Sequence, residues 1–165
     1  LFRAGWSYIG DDVILISKNA MGQVGGHTFR RGLAYDSQVL ANWSELAIPL
    51  HQVVALNRNK TWFDLESVYP DRCELICKPS LLFFPIITNQ ARSRILPLNN
   101  TQTFTKILNQ ADPSVLRKKS SAQSIAELCR SLTLQTRGFQ AELGLDVLCQ
   151  PEYVASLLEK ALSNG

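Results

Sequence analysis

The sequence predicts an α+β chain, with antiparallel β-hairpins in its first half and a helical C-terminal part. Three observations carry that prediction. An apolar approach, Ser7-Tyr8-Ile9, runs into Gly10-Asp11-Asp12 and leaves as Val13-Ile14-Leu15-Ile16, the pattern of two strands about a tight turn. A second stretch, Arg72 to Phe83, alternates, breaks at Lys78-Pro79-Ser80 and resumes as an apolar run. Over Pro151 to Leu162, Val154, Leu157, Leu158 and Ala161 fall on one helical face.

The chain of 165 residues is long enough for one domain, or for a small domain with an appended helical part. Its 45% hydrophobic and 19% charged residues supply a core and exclude a disordered chain. A net charge of +3 permits nucleic-acid binding without demanding it. Cys73, Cys77, Cys129 and Cys149 do not form a zinc pattern, because Cys73-x-x-x-Cys77 has no second pair and no nearby His. Reduced, buried thiols are expected, as in an intracellular protein. No apolar run reaches the roughly 18 residues of a membrane span. The chain opens Leu-Phe-Arg with no signal-peptide design, so a segment of a longer product is expected.

In chain order, residues 6–16 are expected to be a hairpin whose Gly10 takes a positive φ. The exit run Val13 to Ile16 suits a strand buried on both faces. Ser17 to Gly32 is glycine-rich and reads as a loop. Gly25-Gly26-His27 resembles a phosphate nest, but no Gly-Lys-Ser/Thr follows it. Arg30 and Arg31 are candidates for phosphate contacts or for a solvated edge. Leu33 to Leu46 reads as an amphipathic helix ended by Pro49, and His51 to Leu56 as a short strand. Asn57 to Lys60 is a polar turn, Thr61 to Asp71 a connecting loop, and residues 86–100 are irregular. Short helical segments follow over 103–109, from an Asp112-Pro113 start, over 121–134 and over 142–148. Arg117-Lys118-Lys119 is the one basic cluster, and Lys118 is a candidate for a backbone phosphate.

Two adjacent carboxylates on a turn backed by an apolar strand make a hard-oxygen site for Mg²⁺ or Mn²⁺, Asp11 and Asp12 being the ligands. An ordinary surface turn uses the same residue types. Tyr8-Ile9-Gly10-Asp11-Asp12-Val13-Ile14 resembles motif C of the palm domain of viral RNA-directed RNA polymerases. The resemblance implies that Asp11 is the principal and Asp12 the auxiliary metal ligand of a two-metal nucleotidyltransferase. The ions there activate the primer hydroxyl and stabilise the leaving pyrophosphate. Glu45-Leu46-Ala47-Ile48-Pro49-Leu50 with Lys60 is similar to motif D, which implies Lys60 as general acid. Ala47 replaces that motif's Gly, and Lys60 lies further along the chain than in the mitovirus and narnavirus-like group. Cys73, Glu74 and Lys78 match motif E of that group, which implies that Lys78 lies near the primer strand. Leu75 and Pro79 depart from it.

By the same resemblance, residues 1–85 are a partial palm and 86–165 a helical, thumb-like region. RNA template and primer and nucleoside triphosphates are the implied partners, and the host cytoplasm, or a mitochondrion for a mitovirus-like enzyme, the implied compartment. Motifs A and B lie upstream of motif C in that family, and only nine residues precede Gly10 here. The resemblance therefore implies an upstream segment, or a second chain in a divided palm, carrying motifs A and B. Two rival readings stand beside it. One is a non-catalytic α+β interaction module in which Asp11-Asp12 caps a turn. The other is a metal-dependent nuclease built on Asp64, Glu66 and Lys60.

Overall fold

The computed structural model describes residues 5–10, 13–28, 32–36, 53–57, 60–111 and 119–163. The fold is α+β, and the chain divides into two compact units. The N-terminal unit is Phe2–Leu15 with Gly26–Cys77, and the C-terminal unit includes Ile16–Gly25 and Lys78–Gly165. The expected division at residue 85 thus falls earlier, after Cys77. The reason is that strand β7 (Leu81–Ile87) is paired along its whole length with a strand near the C-terminus.

In the C-terminal unit, β1 (Leu15–Lys18) and β2 (Val24–His27) form a hairpin about Asn19–Gln23. Gly22 takes the turn position at φ 81°, where an L side chain is strained. The hairpin expected over 6–16 therefore lies further along, and part of the expected 17–32 loop is strand. Val13 and Leu15 are 53% exposed while Ile14 and Ile16 are half-buried, so the exit run is buried on one face only. That alternation suits β1, which stands at the edge of its sheet among the described strands. Gln135 ties the hairpin down: Val24 N donates to Oε1 at 2.8 Å, and Nε2 donates to Val24 O and Pro79 O at 2.8 and 3.0 Å.

A mixed sheet forms the centre of this unit. Its order is β7, β9 (Arg137–Leu143), β8 (Arg94–Leu98), with β9 parallel to β7 and antiparallel to β8. Both edge strands carry a proline, Pro85 and Pro97, and the central strand carries none. Proline cannot donate to a ladder, so it belongs on edges, where it also discourages pairing with another chain. The expected hairpin of residues 72–83 is not formed. Strand β6 (Ile76–Cys77) pairs with β2, and β7 pairs with β9. Residues 86–100, expected to be irregular, contain β8.

Helix α2 (Asn100–Gln110) starts at a capping box in which Asn99 Oδ1 accepts from Gln102 N and Gln102 Oε1 accepts from Asn99 N. It lies directly on β9, where a Cβ on Gly138 would overlap the fully buried Thr103 side chain. Helix α3 (Lys119–Gln135) packs beside it and buries Cys129, Leu132 and Thr133. The alternate residues of the sheet, among them the stacked Phe83 and Phe139, face the other way. Arg137 shares that face and donates to Ala161 O at 2.9 Å near the end of α5 (Pro151–Ser163). That helix buries Val154, Ala155 and Ala161, while Leu157 and Leu158 of the face read in the sequence are half-buried. Residues 142–148, expected to be helical, are shared between the end of β9 and the one-turn helix α4 (Asp146–Cys149).

The N-terminal unit holds an antiparallel sheet of order β3 (Gly32–Asp36), β5 (Lys60–Asp64), β4 (Val53–Asn57). Leu33 to Asp36 is thus strand, and not the start of a helix, because all five residues of β3 pair with β5. The remainder of the expected 33–46 helix lies outside the described residues. Thr61 to Asp71, expected to be a loop, supplies most of β5, then helix α1 (Leu65–Val68) and a single 3₁₀ turn at Pro70–Arg72. Leu65 is buried at the start of α1, with Asp64 as N-cap.

Candidate functional site

Asp11 and Asp12 lie outside the described residues, while the residues on both sides of them are described. Tyr8 forms an isolated parallel bridge with Cys73: Tyr8 N donates to Arg72 O at 2.7 Å, and Glu74 N donates to Tyr8 O at 2.8 Å. Two residues on, Gly10 packs so closely that a Cβ there would stand 2.6 Å from Ile14 Cδ1 and 2.8 Å from Thr28 Oγ1. Its φ is not positive, contrary to the sequence expectation, so it is close packing and not backbone conformation that favours glycine here. Thr28 is in turn held by its N–H to Leu75 O at 3.2 Å, just beyond the pairing of Gly26 and His27 with Cys77 and Ile76. The 72–77 segment therefore anchors both the strand-like approach to the acidic pair and the chain that packs on Gly10. Carboxylates are the oxygen donors that a hard divalent cation takes, and Asp11 and Asp12 are the two in this stretch. Among the described residues there is no group of three His, Cys, Asp or Glu placed to hold a metal.

The other sequence-derived residues are spread through the fold. Lys60 opens β5, opposite Asp36 and Asn57, and so stands in a strand instead of the expected turn. Lys78 is exposed between β6 and β7, outside any regular element. Arg30, Arg31 and Lys118 lie outside the described residues. The nuclease cluster does not converge. Lys60 and Asp64 are at opposite ends of β5, about 13 Å apart at ~3.3 Å per residue. Asp64 Oδ1 accepts from Glu66 N at 3.1 Å, which makes it a helix cap.

A polar cluster that sequence reasoning missed lies in the C-terminal unit. Ser93 and Asp146 are both buried, and Ser93 Oγ and N donate to the two carboxylate oxygens of Asp146. Gly144 N donates to Ser93 Oγ at 2.9 Å. Burial pushes the Asp146 carboxyl up, but the Ser93 hydroxyl and N–H, with the charge of Arg92, outweigh it and hold the group below the ordinary carboxylate range. Both oxygens are engaged, so the cluster fastens the chain before β8 to the chain after β9. A cross-strand Arg94–Glu142 ion pair at 2.7 Å lies at the same end of the sheet. The four cysteines are free thiols. Cys129 is buried, and burial pushes its thiol up, whereas Cys149 is exposed, contrary to the expectation of buried thiols throughout.

Comparison of the chain with protein families, with curated proteins and with solved structures finds no match. No described helix is long and apolar enough to cross a membrane.

Proposed function

We propose that this chain is the C-terminal part of a viral RNA-directed RNA polymerase, acting in the host cell's interior with a second chain or an upstream segment that supplies motifs A and B. The observation that carries this reading is Tyr8 to Ile14, whose Gly-Asp-Asp begins at a closely packed glycine. Tyr8 is held by its bridge to Cys73, and Gly10 is seated against Ile14 and Thr28. Asp11 is the principal metal ligand and Asp12 the auxiliary one. A magnesium or manganese ion bound there would supply activation of the primer hydroxyl and neutralisation of the pyrophosphate charge. Lys60 and Lys78 are the cations of the reading, Lys60 as proton donor to the leaving group and Lys78 towards the RNA backbone. RNA template, primer and nucleoside triphosphates are the substrates.

Primer extension by the complete assembly tests this assignment. Asp11→Asn should lower the rate about a thousandfold, roughly 4 kcal/mol of transition-state stabilisation, with an unchanged circular dichroism spectrum. Asp12→Asn should cost less. Comparable extension by Asp11→Asn and the unaltered chain would remove the assignment.

A second reading, a non-catalytic partner-binding module, is favoured by one observation. Leu15 on β1, an edge strand among those described, and Val13 just before it are half-exposed, as a strand awaiting a neighbour would be. The polymerase reading needs such a neighbour too. The two separate on Asp11→Asn: an interaction module keeps its whole function in that variant, and a polymerase keeps only the association.

A further inference from the structure

The chain's net charge is not evenly distributed. Residues 99–136, which include α2 and α3, hold five Lys and Arg against two Asp and Glu; the rest of the chain holds twelve of each. The whole excess of +3 therefore belongs to this helical pair and its connection. No acidic residue occurs in α2, and Glu127 is the one acid of α3. Between the two helices runs a groove of about 310 Å³, lined by Asn100, Thr101, Phe104, Arg130, Thr133 and Leu134. That volume is at the lower end of the roughly 300–1,000 Å³ found for ligand sites. Its walls are mostly apolar. Phe104 is half-buried, Leu134 is 64% exposed, and Arg130 is exposed with no ion-pair partner among the described residues. A second cation stands close by, since Lys18 Nζ donates to Ser131 Oγ at 3.1 Å, one residue along α3 from Arg130.

An apolar groove with an aromatic wall and an exposed guanidinium, on the basic part of an otherwise neutral chain, is suited to a flexible polyanion with flat apolar faces. We propose that the α2–α3 groove is a contact for single-stranded RNA, in which a base lies against Phe104 and Leu134 while Arg130 holds the adjoining phosphate. Stacking on an aromatic ring is tolerant of sequence, because every base has a π-face. A guanidinium pairs with phosphate oxygens through two parallel N–H donors. An acidic peptide would satisfy Arg130 but would gain little from the ring. The choice of RNA as the strand rests on the polymerase reading above; the groove and its charge do not.

The test uses the full chain and a short fluorescent oligouridylate, followed by anisotropy over a range of salt concentrations. Phe104→Leu keeps the apolar bulk and removes the aromatic face. It should weaken binding about tenfold and leave the dependence of log K on log salt unchanged. Arg130→Gln should reduce that slope by about 0.7, the release expected for one phosphate of a single strand. Leu134→Ser, at an exposed position, should weaken binding by a smaller factor and serves as the check if Phe104→Leu unfolds. Equal binding by the unaltered chain, Arg130→Gln and Leu134→Ser overturns the proposal. Loss confined to Arg130→Gln also overturns it, because attraction of a polyanion without stacking is not the site described. Failure here, with Asp11→Asn still abolishing extension, would leave the polymerase reading standing.

Discussion

The two units differ in how they hold their most informative residues. In the N-terminal unit, the stretch with a chemical signature is approached through the Tyr8–Cys73 bridge and the close packing of Gly10. In the C-terminal unit, a seven-pair parallel ladder, a capping box and the buried Ser93–Asp146 cluster hold a sheet and helices that carry no catalytic motif. A core gains stability from many redundant contacts. A site needs a few groups presented with their polar atoms unspent. The asparagine-capped helix and the approach to Gly10 lie at the two ends of that range.

If this contrast is correct, crowding a glycine in each unit should have unequal effects. Gly138→Val drives a side chain into buried Thr103, between two elements that cannot separate without losing their packing. It should cost about 3 kcal/mol, read as a lower midpoint of chemical denaturation. Gly10→Ala places a methyl group against the movable ends of Ile14 and Thr28, so the loss should be about 1 kcal/mol. Its larger consequence should be on primer extension, through displacement of the acidic pair. A greater loss of stability from Gly10→Ala than from Gly138→Val would reverse the comparison.

Acid should separate the units more gently. Asp146 is held below its ordinary pKa when folded, so its contribution is fully present above the unfolded value of about 3.9 and disappears as pH falls through the folded value. Asp146→Asn should be less stable than the unaltered chain at neutral pH. The difference should narrow below about pH 4. A difference that stays constant across that range would show that the carboxylate charge is not what Ser93 stabilises.

The parts of the fold legible in the sequence were those set by short-range physics. The face of α5 follows from the spacing of Val154, Leu157, Leu158 and Ala161, with Pro151 at the first turn. Strand β4 follows from its β-branched run. The β7–β9 ladder was not legible, because it joins residues more than fifty positions apart and leaves no local period. The first part of the expected 33–46 helix became a strand for the same reason, its partner being β5. Gly25 and Gly26 read as loop punctuation yet lie in β2, where Gly26 is buried opposite Cys77. The heptapeptide from Tyr8 to Ile14 stands out in the sequence because its residues are contiguous. Its anchor, the 72–77 segment, was visible only as a hairpin that the chain does not form.

The central claim is that Asp11 and Asp12 are half of a nucleotidyl-transfer site whose other half is supplied by motifs A and B. Templated primer extension measures it most directly, with the 165-residue chain alone and after addition of a segment carrying those motifs. The account predicts no extension from the chain alone and divalent-metal-dependent extension from the pair, abolished by Asp11→Asn. Extension by the chain alone, or by the pair with Asp11→Asn in place, would contradict it.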